Sequence, residues 1–384
     1  MNKATLTFLY VRSKTTLDKM ASSVYGRPST SSSITGYNPV MGKERRMKIK
    51  FWGVRGSVAT PLTSDDVERK IFQALEAYKA TGLTQGLDPL EWLEREKSVM
   101  RNAPAPFTFG GNTSCVEVKL GGKRIVLDMG TGLRPLGNSL FKEMFEKGGL
   151  DITFLLSHVH WDHIQGLPFF GPLYINKERG INNSWMFYGG TNWQRTAEVC
   201  MAGQMDPPTF PVSWKEIEQI TYQMNAESVY DLRHFQVGAV DILAGKLNHP
   251  QETYGYRITG VDADGKSKII AYTTDNEPYD PDDPDPRLLE LAENADVWIT
   301  DCQYSEHTYS GKGNGVSRRG WGHSYPRAIA HTAIQAKAKN VVLFHHDPGS
   351  SDAHISTIWV ETQELIKRLG GSSRVIAAWE GLEL

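Results

Sequence analysis

From Met47 onward, apolar residues recur with two distinct periods along the chain. Short apolar or alternating runs, bounded by Gly, Asn, Asp or Pro, predict strands over residues 49–52, 114–120, 124–128, 151–157, 186–188, 240–247, 254–259, 268–273, 297–300, 340–344 and 374–378. Between them, apolar residues spaced three and four apart predict helices over 136–147, 193–201, 214–219, 286–294, 325–337 and 355–369. Gly121-Gly122 and Asp264-Gly265 stand between strand pairs and read as hairpin turns. Hairpins followed by helices occur in both halves, which suggests an α/β protein with two sheets sandwiched between helical layers.

Two segments break the pattern. Residues 1–46 are rich in Ser and Thr and carry eight Lys or Arg against only Asp18 and Glu44. A transit peptide has such a balance, but no amphipathic Arg-rich helix accompanies it, so a disordered N-terminal extension is expected. The main domain is then 47–384, interrupted at about 62–107 by a charged helical insertion, with helices over 65–79 and 88–100, that serves as a surface hairpin, lid or dimer element.

Composition narrows the function classes. With 384 residues, 40% of them hydrophobic and 22% charged, the chain can bury a sizeable core. A formal net charge of −2 gives no broad basic field for nucleic acid. Three scattered cysteines, Cys115, Cys200 and Cys302, suggest a reducing compartment, and the cytoplasm is expected. No apolar run approaches the roughly 20 residues that cross a bilayer. A homodimer is the expected assembly, as the commonest among soluble proteins.

The chemistry is concentrated in His158-Val159-His160-Trp161-Asp162-His163, which follows an apolar strand. Imidazole suits zinc and related metals, and a mixed imidazole/carboxylate set leaves positions open for water. His158 and His160 can serve one ion, and Asp162 and His163 a neighbouring one. Later strand ends supply further candidates: His249, Asp275, and the adjacent pair His345 and His346. Residues that emerge from buried strands sit on a rigid scaffold, where sites are built. The set suits two ions with Asp275 bridging them.

With these residues in place, the chain resembles a metallo-β-lactamase-fold hydrolase from Met47 to the C-terminus, implying an αββα four-layer sandwich of two mixed sheets flanked by helices. The resemblance implies that His158, His160 and His249 hold one ion, that Asp162, His163 and His345 hold the other, and that Asp275 is shared. It favours His345 over His346. Asp128, in Leu127-Asp128-Met129-Gly130-Thr131-Gly132, matches the family's strand-end aspartate, which orients ligand histidines from outside the coordination sphere. Zn is the expected metal; Mn and Fe also accept this ligand set. Di-iron redox members of the fold carry a carboxylate at the second histidine of the motif, so His160 argues for hydrolysis.

Gly322-His323-Ser324-Tyr325-Pro326 resembles the His-Ser/Thr motif of the ribonuclease Z and cyclic-phosphodiesterase branch, as do residues 51–57 and 110–114. In that branch the histidine assists the leaving oxygen. Ser324 is a good N-cap and Pro326 suits a first turn, so His323 would stand at a positive helix end. The resulting expectation is a binuclear phosphodiesterase in which Asp162 orients the nucleophile and His323 protonates the leaving group. A cyclic nucleotide or small cyclic phosphate is the expected substrate. A ribonuclease Z-like tRNA endonuclease is second, for want of a basic binding arm, and a thioester, lactone or β-lactam hydrolase is third. His331, His354, His234 and His307 are assigned no chemistry, and the proline-rich segment 205–212 is read as a pocket wall.

Overall fold

Strand β1 (Lys48–Gly53) shows how the core is specified. Ile49 and Phe51 point inward and are buried, while Lys48 and Lys50 turn outward, the period of a half-buried strand. The computed structural model describes residues 46–99, 107–312 and 315–384, all within one compact unit. The extension expected over residues 1–46 lies outside the described residues except for Arg46.

β1 pairs with β2 (Cys115–Leu120), and β2 with β3 (Lys123–Leu127), both antiparallel. The β2–β3 turn is Gly121-Gly122, with φ of 57° and 76°. Positive φ at both central residues gives the turn the twist of its flanking strands, and only glycine adopts it freely. Beyond β3 the sheet becomes parallel, through β4 (Asp151–Leu155) and β5 (Ser184–Gly189). After a two-residue ribbon, β6 (Thr191–Asn192) with β7 (Arg195–Thr196), its edge is closed by β8 (Gln223–Ser228). The second sheet repeats this scheme: β9 (His234–Val237), β10 (Val240–Leu247), β11 (Thr253–Val261) and β12 (Ser267–Thr273) are antiparallel, followed by parallel β13 (Val297–Asp301), β14 (Asn340–Phe344) and β15 (Arg374–Ala377).

Side-chain alternation builds the layers. Ile125, Leu127, Leu155, Tyr272, Ile299, Val342 and Phe344 meet between the two sheets. Their neighbours in sequence face the other way. Val126 and Phe154 pack against Leu136, Leu140 and Met144 of the helix Leu133–Lys147. Ala271, Trp298, Val341 and Leu343 pack with Ile329 and Ala333 of the helix Pro326–Gln335 and Ile358 and Ile366 of the helix Asp352–Arg368. Strands buried on both faces read as continuous apolar runs, and the αββα sandwich follows from covering each outer face with helices.

One predicted element is corrected and one strand is added. The helix expected over 193–201 starts only at Ala197, because the Thr196 side chain caps it by accepting from the backbone N–H of Val199, and the preceding residues turn back as β6–β7. β8 went unpredicted because Gln223-Met224-Asn225-Ala226-Glu227-Ser228 is polar, as an edge strand permits. The insertion carries helices Ser64–Ala77 and Pro89–Val99, the first capped by Thr63 in a reciprocal bond with Asp66. No helix among the described residues is long and apolar enough to cross a membrane.

Candidate metal centre

The candidate ligands gather at one rim of the sandwich because they follow the C-terminal ends of strands running in the same direction. Asp128, Asp275 and His345 come directly after β3, β12 and β14 or one residue later, and all three adopt φ near +60° (59°, 59° and 57°). Non-glycine residues seldom take this conformation, and its concentration at one site marks a backbone held there by its surroundings. Each turn breaks the strand direction and aims a side chain across the rim.

The segment after β4 does the same over a longer path. His160 has an extended backbone and precedes the short helix Trp161–Ile164, so the chain reverses between His160 and Asp162. His158 and His160 face His249, with His158 Nε2 2.8 Å from His160 Nδ1 and His160 Nδ1 3.4 Å from His249 Nε2. Asp162, His163 and His345 form the adjoining cluster: His345 Nε2 is 3.0 Å from Asp162 Oδ2 and 3.2 Å from His163 Nε2. Asp275 lies between the two, its Oδ1 4.0 Å from His158 Nε2 and 3.4 Å from His345 Nε2, and its Oδ2 3.4 Å from His163 Nε2. Within each of the triads His158/His160/His249, His158/His163/Asp275, Asp162/His163/His345 and Asp275/His323/His345, the ligand atoms lie within 4.8 Å of one another.

These residues fit divalent cations on several counts. Imidazole nitrogens facing each other at these distances repel unless a proton or a metal cation lies between them. The outward nitrogens are already engaged: His163 Nδ1 donates to Asp128 Oδ2 (2.8 Å), His345 Nδ1 to Gln303 Oε1 (2.9 Å) and His249 Nδ1 to the carbonyl of Gly322 (3.1 Å). That pattern leaves the inner nitrogen of each ring as the ligating lone pair. Burial, with the neighbouring His163 ring, holds His158 well below the ordinary imidazole range, and burial with His249 holds His160 at about 4. Both are therefore neutral, the form that binds metal. Four buried carboxylates, Asp128, Asp162, Asp275 and Asp301, surround the rings. Such a concentration of negative charge calls for cations.

Close backbone approach completes the frame. A Cβ on Gly56 would lie 2.4 Å from the His345 ring, and one on Gly322 would lie 1.9 Å from His249 Nδ1. Only glycine fits at either place. The backbone N–H of Ser57 donates to Asp162 Oδ2 at 2.7 Å. The buried Arg55 donates to the carbonyls of Gly110, Asp347 and Ser350, tying the loops after β1 and β14 together.

His323 is buried beside the second cluster, its Nδ1 3.7 Å from Asp275 Oδ1 and 3.3 Å from Asp301 Oδ2. Burial works against its charge, but Asp301 and Asp275 outweigh that and raise its pKa. The expected N-cap at Ser324 is not found. Tyr325 occupies that position without a side-chain cap, and the Ser324 N–H donates instead to Asp301 Oδ2. The carboxylate of Asp301 also accepts from the N–H of Asn276 and so joins two loops.

His346 stands apart from the cluster. Its Nε2 donates to the carbonyl of Ala378, and burial holds its pKa at about 3. His331 pairs with Asp282, and His234 and His307 are exposed. Ser157, whose N–H and hydroxyl both donate to Asp128, escaped the sequence reading, as did Asp301, Gln303 and Glu277. Asp301 and Gln303 follow a predicted strand end, as His249 and Asp275 do, and that signal would have found them.

Glu277 organises the loop that carries His323. Its Oε1 accepts from the Gly320 N–H and the Tyr309 hydroxyl, and its Oε2 from the Gly322 N–H. Because Gly322 in turn holds His249, one carboxylate positions two site histidines. Glu277→Ala is expected to cost roughly 3 kcal/mol of stability in urea denaturation, the scale of losing hydrogen bonds to a charged acceptor. Glu277→Gln, which keeps an acceptor, should cost less; equal stability of all three proteins would refute this positioning role.

The chain belongs to the beta-lactamase superfamily, whose domain profile matches residues 123–346, a span that contains every clustered ligand named above. An uncharacterized protein of Mycobacterium leprae is 26% identical over 245 residues, covering 59% of this chain and 68% of that protein. Ribonuclease BN of Escherichia coli is 27% identical over 176 residues, 46% of this chain and 50% of the ribonuclease, so the match spans about half of that relative's length. Among solved structures, unliganded yeast PDE1 aligns with a TM-score of 0.55 at 15% identity over 88% of this chain and 99% of that one. YhfI of Bacillus subtilis, a metallo-beta-lactamase fold protein, aligns with a TM-score of 0.52 at 16% identity over 88% and 99%. These likenesses establish the metallo-β-lactamase fold.

Proposed function

We propose that this chain hydrolyses a small phosphodiester with two divalent ions, His158, His160 and His249 holding one, Asp162, His163 and His345 the other, and Asp275 shared by both. Such ions supply a water nucleophile of lowered pKa and offset charge on the phosphoryl oxygens. Zn suits this ligand set, and Mn and Fe are accepted by it.

The observation that carries the reading is the placement of His323. It is a buried imidazole beyond the six residues of the two triads, within 3.7 Å of Asp275 and backed by Asp301. A departing alkoxide needs a proton, and an imidazole at the cluster is placed to give it. A departing thiolate needs none, so thioester hydrolysis leaves His323 without a task. Asp162, fixed by the Ser57 N–H, orients the nucleophile. The similarity to ribonuclease BN supports phosphodiester chemistry, but a net charge of −2 provides little attraction for tRNA. The substrate class is therefore a small nucleotide phosphodiester, cyclic or linear.

The test is turnover by the zinc- or manganese-loaded protein of 2′,3′- and 3′,5′-cyclic nucleotides, bis(p-nitrophenyl) phosphate, a pre-tRNA and a thioester. Hydrolysis of the small phosphodiesters is expected. Cleavage of the thioester alone would overturn the reaction class, and cleavage of pre-tRNA alone would overturn the substrate class.

A further inference from the structure

Two cavities meet at the edge of the metal centre. The first, about 840 Å³, is lined by His160, Asp162, His249 and His323 and carries Trp193 and Trp321. The second, about 1000 Å³, runs past Arg134, Phe169 and Phe210. Val159, Trp161, Arg195 and Cys200 line both, so the two form one cleft with Trp161 and Arg195 at the junction. Small-molecule pockets span ~300–1,000 Å³, and each cavity alone lies in the upper part of that range. The joined cleft is larger than a mononucleotide requires.

Its walls have the chemistry of base and phosphate recognition. Trp161 is 77% exposed although Asp162 and His163 beside it are buried, and Trp193 is 87% exposed. Folding alone gives no reason to hold such large apolar surfaces in water at the mouth of a site. Trp193 and Gln194 form the tip of the β6–β7 hairpin with φ of 49° and 63°, where glycine or asparagine is the favoured choice. The hairpin thus projects a tryptophan over the cleft against backbone preference. On the far wall Phe169 and Phe210 meet edge to face, with ring centroids 5.9 Å apart at 85°. Arg134 and Arg195 add guanidinium groups, which match phosphate oxygens in charge and geometry.

We infer that the cleft takes a substrate with a nucleoside on each side of the scissile phosphodiester. One base lies against Trp193 and Trp321. The other lies along Trp161, Phe169 and Phe210 beside the Arg134 guanidinium, and Arg195 at the junction faces the phosphate between them. Stacking on aromatic side chains tolerates any base, so a dinucleotide is recognised by length rather than by sequence. A cyclic mononucleotide fills the first cavity and leaves Arg134, Phe169 and Phe210 without a ligand. In the reaction, water adds to phosphorus, the bond from phosphorus to one nucleoside oxygen breaks, and that oxygen leaves protonated. The products are one nucleotide monoester and one nucleoside. The inference rests on the phosphodiesterase reading above.

The experiment compares adenylyl-3′,5′-adenosine with bis(p-nitrophenyl) phosphate on the zinc-loaded full-length protein and on Phe210→Ala and Arg134→Ala. The ratio of kcat/KM for the dinucleotide to that for the aryl diester is expected to fall roughly tenfold in each variant, mainly through KM, as for loss of one stacking or cation–π contact to the second base. Parallel changes on both substrates, or none, would overturn the assignment of the second cavity. If the wild type hydrolyses neither diester, the phosphodiesterase reading fails, and the cleft is judged by binding alone. Adenylyl-3′,5′-adenosine should then still quench tryptophan fluorescence, with a Kd roughly tenfold weaker in Phe210→Ala; absence of quenching overturns the cleft itself.

Discussion

Asp275→Asn is expected to empty the metal centre and abolish turnover while leaving the fold intact. Asparagine is chosen because position 275 has a φ of 59°, and asparagine is among the few residues that accept this backbone region. The substitution therefore removes the charge without straining the turn. Asp275 is the carboxylate that lies between the two clusters, so its neutralisation weakens both. Loss of an outer partner of a metal ligand typically lowers affinity by about 10–100-fold. Loss of a shared ligand should exceed that, whereas Asp128→Asn, which acts through His163, should fall within it. Elemental analysis of the purified variants, with circular dichroism as the control for folding, measures this. Retention of both ions by Asp275→Asn would remove the central ligand from the proposed site.

His323→Ala is expected to leave metal content unchanged and to lower turnover of a diester with an alkoxide leaving group by about 10²–10⁴-fold, the usual contribution of a positioned acid. The same variant should lose far less activity on bis(p-nitrophenyl) phosphate, because p-nitrophenolate departs readily without a proton. This difference between leaving groups separates an acid from a structural residue, which would depress both substrates alike. His323 also belongs to a cluster with Asp275 and His345 whose ligand atoms lie within 4.8 Å of one another. Loss of an ion from the variant would therefore identify His323 as a ligand instead.

Much of the centre is legible in one dimension because it is built from local rules. A strand, three imidazoles and a carboxylate within six residues define half of the site, and polar residues at later strand ends supply the rest. The partners that hold those ligands are less legible. Gln303 supports His345 from 42 positions away, and Asp128 supports His163 from 35. Neither distance corresponds to a sequence period, since such contacts depend on which strands become neighbours. Ser324 illustrates the opposite error: its residue type suits a helix cap, but the helix starts one residue later, after Tyr325, while the Ser324 N–H is held by Asp301.

The adjacent histidines mark the boundary between the two kinds of information. The sequence by itself determined the αββα layering, through alternation within strands and helical spacing between them, and the candidate metal-binding side chains. It placed His345 and His346 at the same strand end and had no local rule to separate them. Tertiary structure sends the two rings to different places. The turn at His345, with φ of 57°, sends that ring toward Asp162 and His163. The backbone of His346 is meanwhile captured by Val54 and Gly56 of the first strand's loop, and its ring by Ala378. The cleft that joins the metal centre to Phe210 likewise exists only once distant loops meet. Backbone pairing and burial act between segments that chain order leaves far apart, and that is why only the folded protein reveals them.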